Sequence, residues 1–149
     1  MTPYFQLDQD VIYLNHAAVA PWPLRTANAV KAFADEIARQ GSKDYDRWLI
    51  REKQLRGQLA QLINAPSTVG IALLKSTAEG LSLIAYGLPW QAGDNIVSPA
   101  EEFPSNRIVW QSLQPKGVET RLIPISTLSD PEQALIDAID RRTRLLSCS

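Results

Sequence analysis

The hydrophobic positions of the first part of the chain recur at helical intervals. Apolar residues three or four apart predict one helix over residues 21–40, which Gly41 would end as a C-cap. A second helical pattern covers residues 44–64 and stops at an Asn-Ala-Pro sequence. We therefore expect residues 1–65 to form an N-terminal helical arm that leads into a domain, not a separate domain.

After residue 65 the apolar runs become short and alternate with helical patterns. This alternation of strand and helix predicts an α/β domain over residues 66–149, with a partial, mostly parallel sheet of about four strands and flanking helices. The continuous apolar run at 69–74 predicts a strand buried on both faces. The four strands are predicted to centre near Ile71, Ile96, Leu122 and Leu146.

The helices of this domain carry start signals. Ser76 followed by Glu79 has the spacing of a capping box, and Asp130 followed by Pro131 is a strong helix start. A further helix is predicted over residues 105–114.

Composition and charge limit the function classes. Lys and Arg total 15 against 16 Asp and Glu, so the net charge of −1 gives no long-range attraction to nucleic acid or to an anionic membrane. No apolar run approaches the length of about 18 residues that a membrane span needs, and the N-terminus lacks the pattern of a signal peptide. We expect a cytoplasmic protein with no nucleic-acid or membrane partner.

The cysteine and histidine contents exclude two kinds of site. Cys148 is the only cysteine and His16 the only histidine, so neither an intrachain disulfide nor a zinc cluster of ordinary type is expected, and no metal site is predicted. Cys148 lies in an apolar strand, which predicts a buried, unreactive thiol.

Two segments at the predicted carboxyl ends of strands are candidates for chemistry. Residues 76–78 begin a helix, where free N–H groups, the helix dipole and the hydroxyls of Ser76 and Thr77 would suit an anion. The capping box is the alternative interpretation, and both can hold together. Phe103 follows the second strand of the sheet, where its ring could form a flat wall for a planar ligand or instead pack over the sheet.

These segments, taken in order, resemble the class V aminotransferase family of pyridoxal-phosphate enzymes. That family includes cysteine desulfurases, kynureninases and isopenicillin N epimerase-like proteins. Residues 13–21 look like its N-terminal segment, residues 76–81 like its phosphate-binding turn, and residues 102–106 with Trp110 like the segment whose ring stacks on the cofactor. Residues 93–97 and 143–146 look like strands of its major domain, and the resemblance covers essentially the whole chain.

The resemblance assigns roles residue by residue. Thr77 and Ala78 would bind the phosphate of pyridoxal 5'-phosphate through their N–H groups, with a hydroxyl from Ser76 or Thr77. Many relatives carry Thr where Ala78 stands. The alanine in this sequence has no hydroxyl, so one phosphate contact of those relatives would be missing here. Phe103 would lie over the pyridine ring. On the substrate side the resemblance places Asn15, His16 and Ala17, although from the residues alone His16 can equally be a hydrogen-bonded structural group.

Phe103 also bears on the reaction. Many desulfurases carry His at this position, and His can transfer protons whereas Phe cannot. Kynureninase-like and epimerase-like members resemble this sequence in using Phe. The departure argues against a typical cysteine desulfurase.

The family's later elements have no counterpart in these 149 residues. They supply an Asp for the pyridine nitrogen, the Lys that forms the Schiff base and a C-terminal domain with a substrate-binding Arg. Lys75 lies on the wrong segment to replace that Lys.

We therefore expect the N-terminal portion of an enzyme that acts on an amino acid by transamination, desulfuration, epimerisation or lyase chemistry. We expect no catalytic residue in this chain, weak or absent cofactor binding, and association into a homodimer or larger species. The alternatives are a non-catalytic α/β binding or dimerisation module and a generic phosphate-binding α/β protein.

Overall fold

The computed structural model describes residues 4–17 and 19–149. The chain divides into two compact units, Met1–Ile71 and Ala72–Ser149, a few residues beyond the predicted boundary at residue 65. No helix in the described ranges is long and apolar enough to cross a bilayer.

The first unit contains the two predicted helices, α1 (Leu24–Gln40) and α2 (Tyr45–Leu62). Gly41 ends α1 with a φ of 57°, in the left-handed region, and its N–H donates to the carbonyl of Ile37 at 2.9 Å. Trp48 of α2 contacts α1 twice. Its Nε1 donates to Oε1 of Glu36 at 3.0 Å, and its ring lies edge-on to Phe33 with centroids 5.3 Å apart.

The second unit is an α/β layer structure. Its three strands form one parallel sheet in the order β2–β1–β3, which confirms the predicted fold class. The elements in chain order are α3 (Thr77–Gly87), β1 (Asn95–Pro99), α4 (Ile108–Gln111), β2 (Glu119–Ile123), α5 (Pro131–Asp137) and β3 (Thr143–Leu146).

The predicted strand at residues 69–74 is wrong, and the described sheet has three strands, not four. Residues Thr68–Gly70 form a 3-10 turn in which the Ser67 hydroxyl accepts from the N–H of Val69 at 3.0 Å. Val69 is 94% exposed, so the run is not buried on both faces. An apolar run alone cannot distinguish a strand from other apolar segments, and here the Ser67 side chain stabilises a turn in place of an extended backbone.

The predicted helix at residues 105–114 is shorter than expected. Only Ile108–Gln111 is α-helical, between 3-10 turns at Pro104–Asn106 and Gln114–Lys116. Pro115 in the second 3-10 turn lacks the N–H that would bond the Gln111 carbonyl and continue the α-helix.

The core of the unit lies between the sheet and the helices α3 and α4. Ile96 of the central strand, Trp110 of α4 and Ala85 of α3 are almost completely buried and belong to one apolar cluster. Asn95, the neighbour of Ile96, bonds instead to Asp140 after α5 at 2.9 Å. Since side chains alternate along a strand, α5 lies on the opposite face of the sheet.

The expectation of a buried thiol is also wrong, because Cys148 is exposed. Exposure alternates along the end of β3: Leu146 is exposed and Ser147 buried. Ser147 points inward to Trp110, so Cys148 points away from the core.

Candidate functional site

The first part of the candidate site is the start of α3. Ser76 is the N-cap residue, and its hydroxyl accepts from the N–H of Glu79 at 3.2 Å. The Glu79 carboxylate in return accepts from the N–H of Lys75 at 2.8 Å. The predicted capping interaction is therefore present, with the returning bond one residue earlier than in the standard box.

Two backbone donors at this turn have no acceptor. Thr77 and Ala78 are the first two residues of α3, so their N–H groups have no intrahelical partner, and in the described part of the chain neither donates elsewhere. Residues 76–78 are exposed. Two free N–H groups at the positive end of a helix form a donor set suited to a phosphate.

The second part of the site is the loop that follows β1. The Phe103 ring is 74% exposed, so the alternative in which it packs over the sheet is wrong. It lines a small cavity of about 150 Å³. The other lining residues are Pro99, Glu101, Glu102, Ile125 and Ser149.

The two parts meet at a cleft of about 360 Å³. Ala78 lines this cleft from α3, and Pro104, which directly follows Phe103, lines it from the loop. The structure thus brings Ala78, at the start of α3, and Pro104, next to Phe103, to one cleft. The Phe103 ring itself lines the separate small cavity described above.

The predicted substrate-side residues belong to the other compact unit. Asn15, His16 and Ala17 are exposed, and the His16 ring lies edge-on to Tyr13 with centroids 5.5 Å apart. Their role stays a prediction. Ala18 of the same motif lies outside the described residues.

Sequence reasoning missed two glutamates beside Phe103. Glu101 accepts from the backbone N–H groups of Ser126 at 3.0 Å and Ile125 at 3.1 Å, in the loop after β2. Hydrogen bonds from the Ser126 hydroxyl and from these N–H groups outweigh desolvation and lower the pKa of Glu101 to about 2. Their position directly after a strand of a parallel sheet could have marked them as candidates. Nothing in the sequence, however, predicted which residues they bond.

Glu102 is 9% exposed and binds the segment after β3. Its Oε2 accepts from the Ser149 hydroxyl at 2.9 Å, and its Oε1 accepts from the Ser149 N–H. Burial opposes ionisation, but hydrogen bonds from Asn106, Ser149 and the N–H of Phe103 outweigh it, so the pKa of Glu102 is lowered.

A buried polar network lies behind the loop. Nε1 of Trp110 donates to Oδ1 of Asn106 at 3.1 Å and to the Ser147 hydroxyl at 3.0 Å. The Ser147 hydroxyl also donates to Asn106, and the Ser147 N–H bonds the carbonyl of Val97 in β1. This network fixes the far end of the Phe103 loop to the end of β3.

The parallel sheet, with an exposed aromatic ring in the loop after its central strand and two free N–H groups at the start of α3, defines an α/β protein with a candidate ligand site. The family described as Aminotransferase class-V matches residues 12–149. The chain belongs to that family.

Known relatives agree with this assignment. A probable cysteine desulfurase of Methanothermobacter thermautotrophicus is 32% identical over 145 residues, 93% of this chain and 36% of the relative. The crystal structure of the cysteine desulfurase CsdA of Escherichia coli has a TM-score of 0.76 at 27% identity, over 96% of this chain and 38% of that chain.

A structure of a C-DES mutant with glycine covalently linked to its PLP cofactor has a TM-score of 0.70. Its identity of 24%, over 83% of this chain and 34% of that chain, shows a shared fold alone. The chain thus spans about a third of the length of these relatives.

Proposed function

We propose that this chain is the cofactor-phosphate-binding portion of a pyridoxal-phosphate enzyme that acts on an amino acid. The proposal depends on the backbone N–H groups of Thr77 and Ala78, which begin α3 and have no acceptor among the described residues. They lie in a chain that matches the family over residues 12–149.

The donor chemistry of the turn fits a phosphate. The N–H groups of Thr77 and Ala78 would bind its oxygens. The Ser76 oxygen accepts from Glu79, which leaves the Ser76 hydroxyl proton free to donate to the same anion. A side-chain hydroxyl is missing at Ala78, so this turn offers fewer donors than one with Thr there.

The Phe103 ring would cover one face of the cofactor ring and exclude water from it. When bound, the cofactor supplies the electron sink on which amino-acid chemistry of this family depends. Phe103 itself has no N–H or O–H group, so no proton passes through this side chain. Any proton transfer at that face must come from another residue.

The names of the relatives favour desulfuration among the four reactions considered for the complete enzyme. The phenylalanine at position 103 counts against a mechanism in which this position carries a proton.

We propose that the 149-residue chain alone is inactive, because none of its residues is assigned the covalent role. Lys75 is engaged with Glu79, its Nζ lying 3.8 Å from Oε1.

Amide NMR tests the phosphate turn directly. In a ¹⁵N-labelled chain, pyridoxal 5'-phosphate and inorganic phosphate should shift the Thr77 and Ala78 amide signals with a dissociation constant of about 1 mM, which corresponds to about 4 kcal/mol. Thr77→Pro removes one donor at a helix position that tolerates proline, and Ser76 before it is already extended. Thr77→Ala keeps the N–H and is the matched control.

The outcomes separate the alternatives. Weaker binding in Thr77→Pro but not in Thr77→Ala supports the proposal, provided that pyridoxal 5'-phosphate also perturbs Phe103. A generic phosphate-binding protein would respond to inorganic phosphate alone and leave Phe103 unchanged. A non-catalytic interaction module would show neither response. Lys75→Ala controls for modification of lysine side chains by the aldehyde.

A further inference from the structure

We infer that Glu101 and Glu102 are positioning residues for the Phe103 ring, which they hold by tying together the loops that follow all three strands of the described sheet. The inference rests on the proposed function of Phe103, whose ring would face the cofactor.

The topology lets Glu101 and Glu102 bond the segments that follow the two outer strands of the sheet. The strand β1 is the middle strand, with β2 on one side and β3 on the other. The loop after β1 carries both glutamates, and Glu101 bonds the loop after β2 through Ile125 and Ser126. Glu102 bonds Ser149 after β3. Two consecutive carboxylates therefore join three loops at the carboxyl edge of the sheet.

The position of the Phe103 ring depends on these loop contacts, because the ring itself is not held by packing. The side chain is 74% exposed, so few neighbours restrict it. Its backbone is restrained instead: the Phe103 carbonyl accepts from the Asn106 N–H at 2.8 Å, and Pro104 limits Phe103 to the extended region observed, with φ −59° and ψ 144°. The direction of the Phe103 Cα–Cβ bond, and with it the region that the ring can reach, is thus set by the backbone of the loop that the glutamates hold.

Fluorine NMR reports on this ring selectively. The chain has three phenylalanines, Phe5, Phe33 and Phe103, so a chain labelled with 4-fluorophenylalanine gives three signals, and Phe103→Leu assigns the third. The test variants are Glu101→Gln and Glu102→Gln, which keep the side-chain shape but lose the charge. Glu132→Gln, at an exposed glutamate in the first turn of α5, is the matched control.

The expected result is a shifted and broadened Phe103 signal in both test variants, with Phe5, Phe33 and the far-ultraviolet circular dichroism unchanged. The control should leave all three signals in place. An unchanged Phe103 signal in both folded test variants overturns the inference. If Glu102→Gln unfolds the chain, Glu101→Gln and Ser149→Ala, which removes a single bond to Glu102, decide by the same criterion.

A titration separates this inference from the proposed function. If the variants move the Phe103 signal but pyridoxal 5'-phosphate perturbs neither Phe103 nor Thr77 in the unmodified chain, positioning stands and the proposed function fails. If the cofactor perturbs both residues while the glutamate variants leave Phe103 unmoved, the proposed function stands and positioning fails.

Discussion

Oε1 of Glu101 accepts the backbone N–H of Ser126 at 3.0 Å, which joins the loop after β1 to the loop after β2. The pKa of Glu101 is lowered from 4.5 to about 2. A lowered pKa means that these bonds stabilise the folded chain above pH 4.5 and that this stabilisation is lost as the pH falls toward 2.

Glu101→Gln should therefore flatten the loss of stability in that acidic window. The measurement is the thermal unfolding midpoint at a series of pH values, with Glu132→Gln as the control that keeps the steeper decline. Parallel curves for Glu101→Gln and the unmodified chain would contradict the assignment.

The N-cap of α3 should contribute measurably to stability. Ser76→Ala removes the acceptor for the Glu79 N–H and should lower the free energy of unfolding by about 1 kcal/mol. Ser82→Ala serves as the control, since the Ser82 hydroxyl only bonds the Ala78 carbonyl within the helix and its loss should be nearly neutral. Urea unfolding of the two variants makes the comparison, and equal effects would argue against the cap.

Trp110 should be the tryptophan whose replacement costs most. It is 1% exposed and donates to both Asn106 and Ser147. Trp110→Phe leaves these buried groups short of a donor and should cost about 2 kcal/mol. Trp22→Phe, at a side chain that is 58% exposed, should stay within about 0.5 kcal/mol. A cost for Trp110→Phe no greater than that of Trp22→Phe would refute the network's importance.

Two glycine substitutions should act in opposite directions. Gly117 has a φ of +77°, and a Cβ there would lie 3.0 Å from Cβ of Ala92, so Gly117→Ala should destabilise by more than about 1 kcal/mol. Gly57 lies inside α2, and an added Cβ meets nothing within 4 Å. Gly57→Ala should therefore raise stability by roughly 0.5–1 kcal/mol. Chemical unfolding followed by circular dichroism tests both, and effects of the same sign would contradict this account.

The isolated chain should self-associate through the apolar surface of α3 and α4. Leu83 is 60% exposed, and Tyr86 and Ile108, at 57% and 61%, line the cleft that Ala78 also lines. Ile108→Lys should lower the weight-average mass measured by sedimentation velocity at a given concentration. Ile136→Lys, at a similarly exposed position of α5, should lower it less. A concentration-independent monomer for the unmodified chain would remove the basis for this prediction.

Local signals in the sequence were sufficient to predict the ends of several helices. Ser76 caps α3, Asp130 caps α5 by accepting from Gln133 at 3.0 Å, and Gly41 ends α1, all as predicted. Each of these features depends on contacts within about four residues, so the residue types along a short segment encode them. The strand-to-helix alternation likewise fixed the fold class, because apolar periodicity is itself local.

Tertiary structure decided what depends on distant partners. Whether residues 69–74 form a strand depends on a pairing neighbour, and Cys148 is exposed because Ser147 turns inward to a tryptophan 37 positions earlier. The partners of Glu101 lie 24 and 25 positions away, and that of Glu102 lies 47 positions away. Composition and local spacing do not predict which residues so far apart in sequence will be partners. Only the fold brings these groups within the roughly 3 Å of a hydrogen bond.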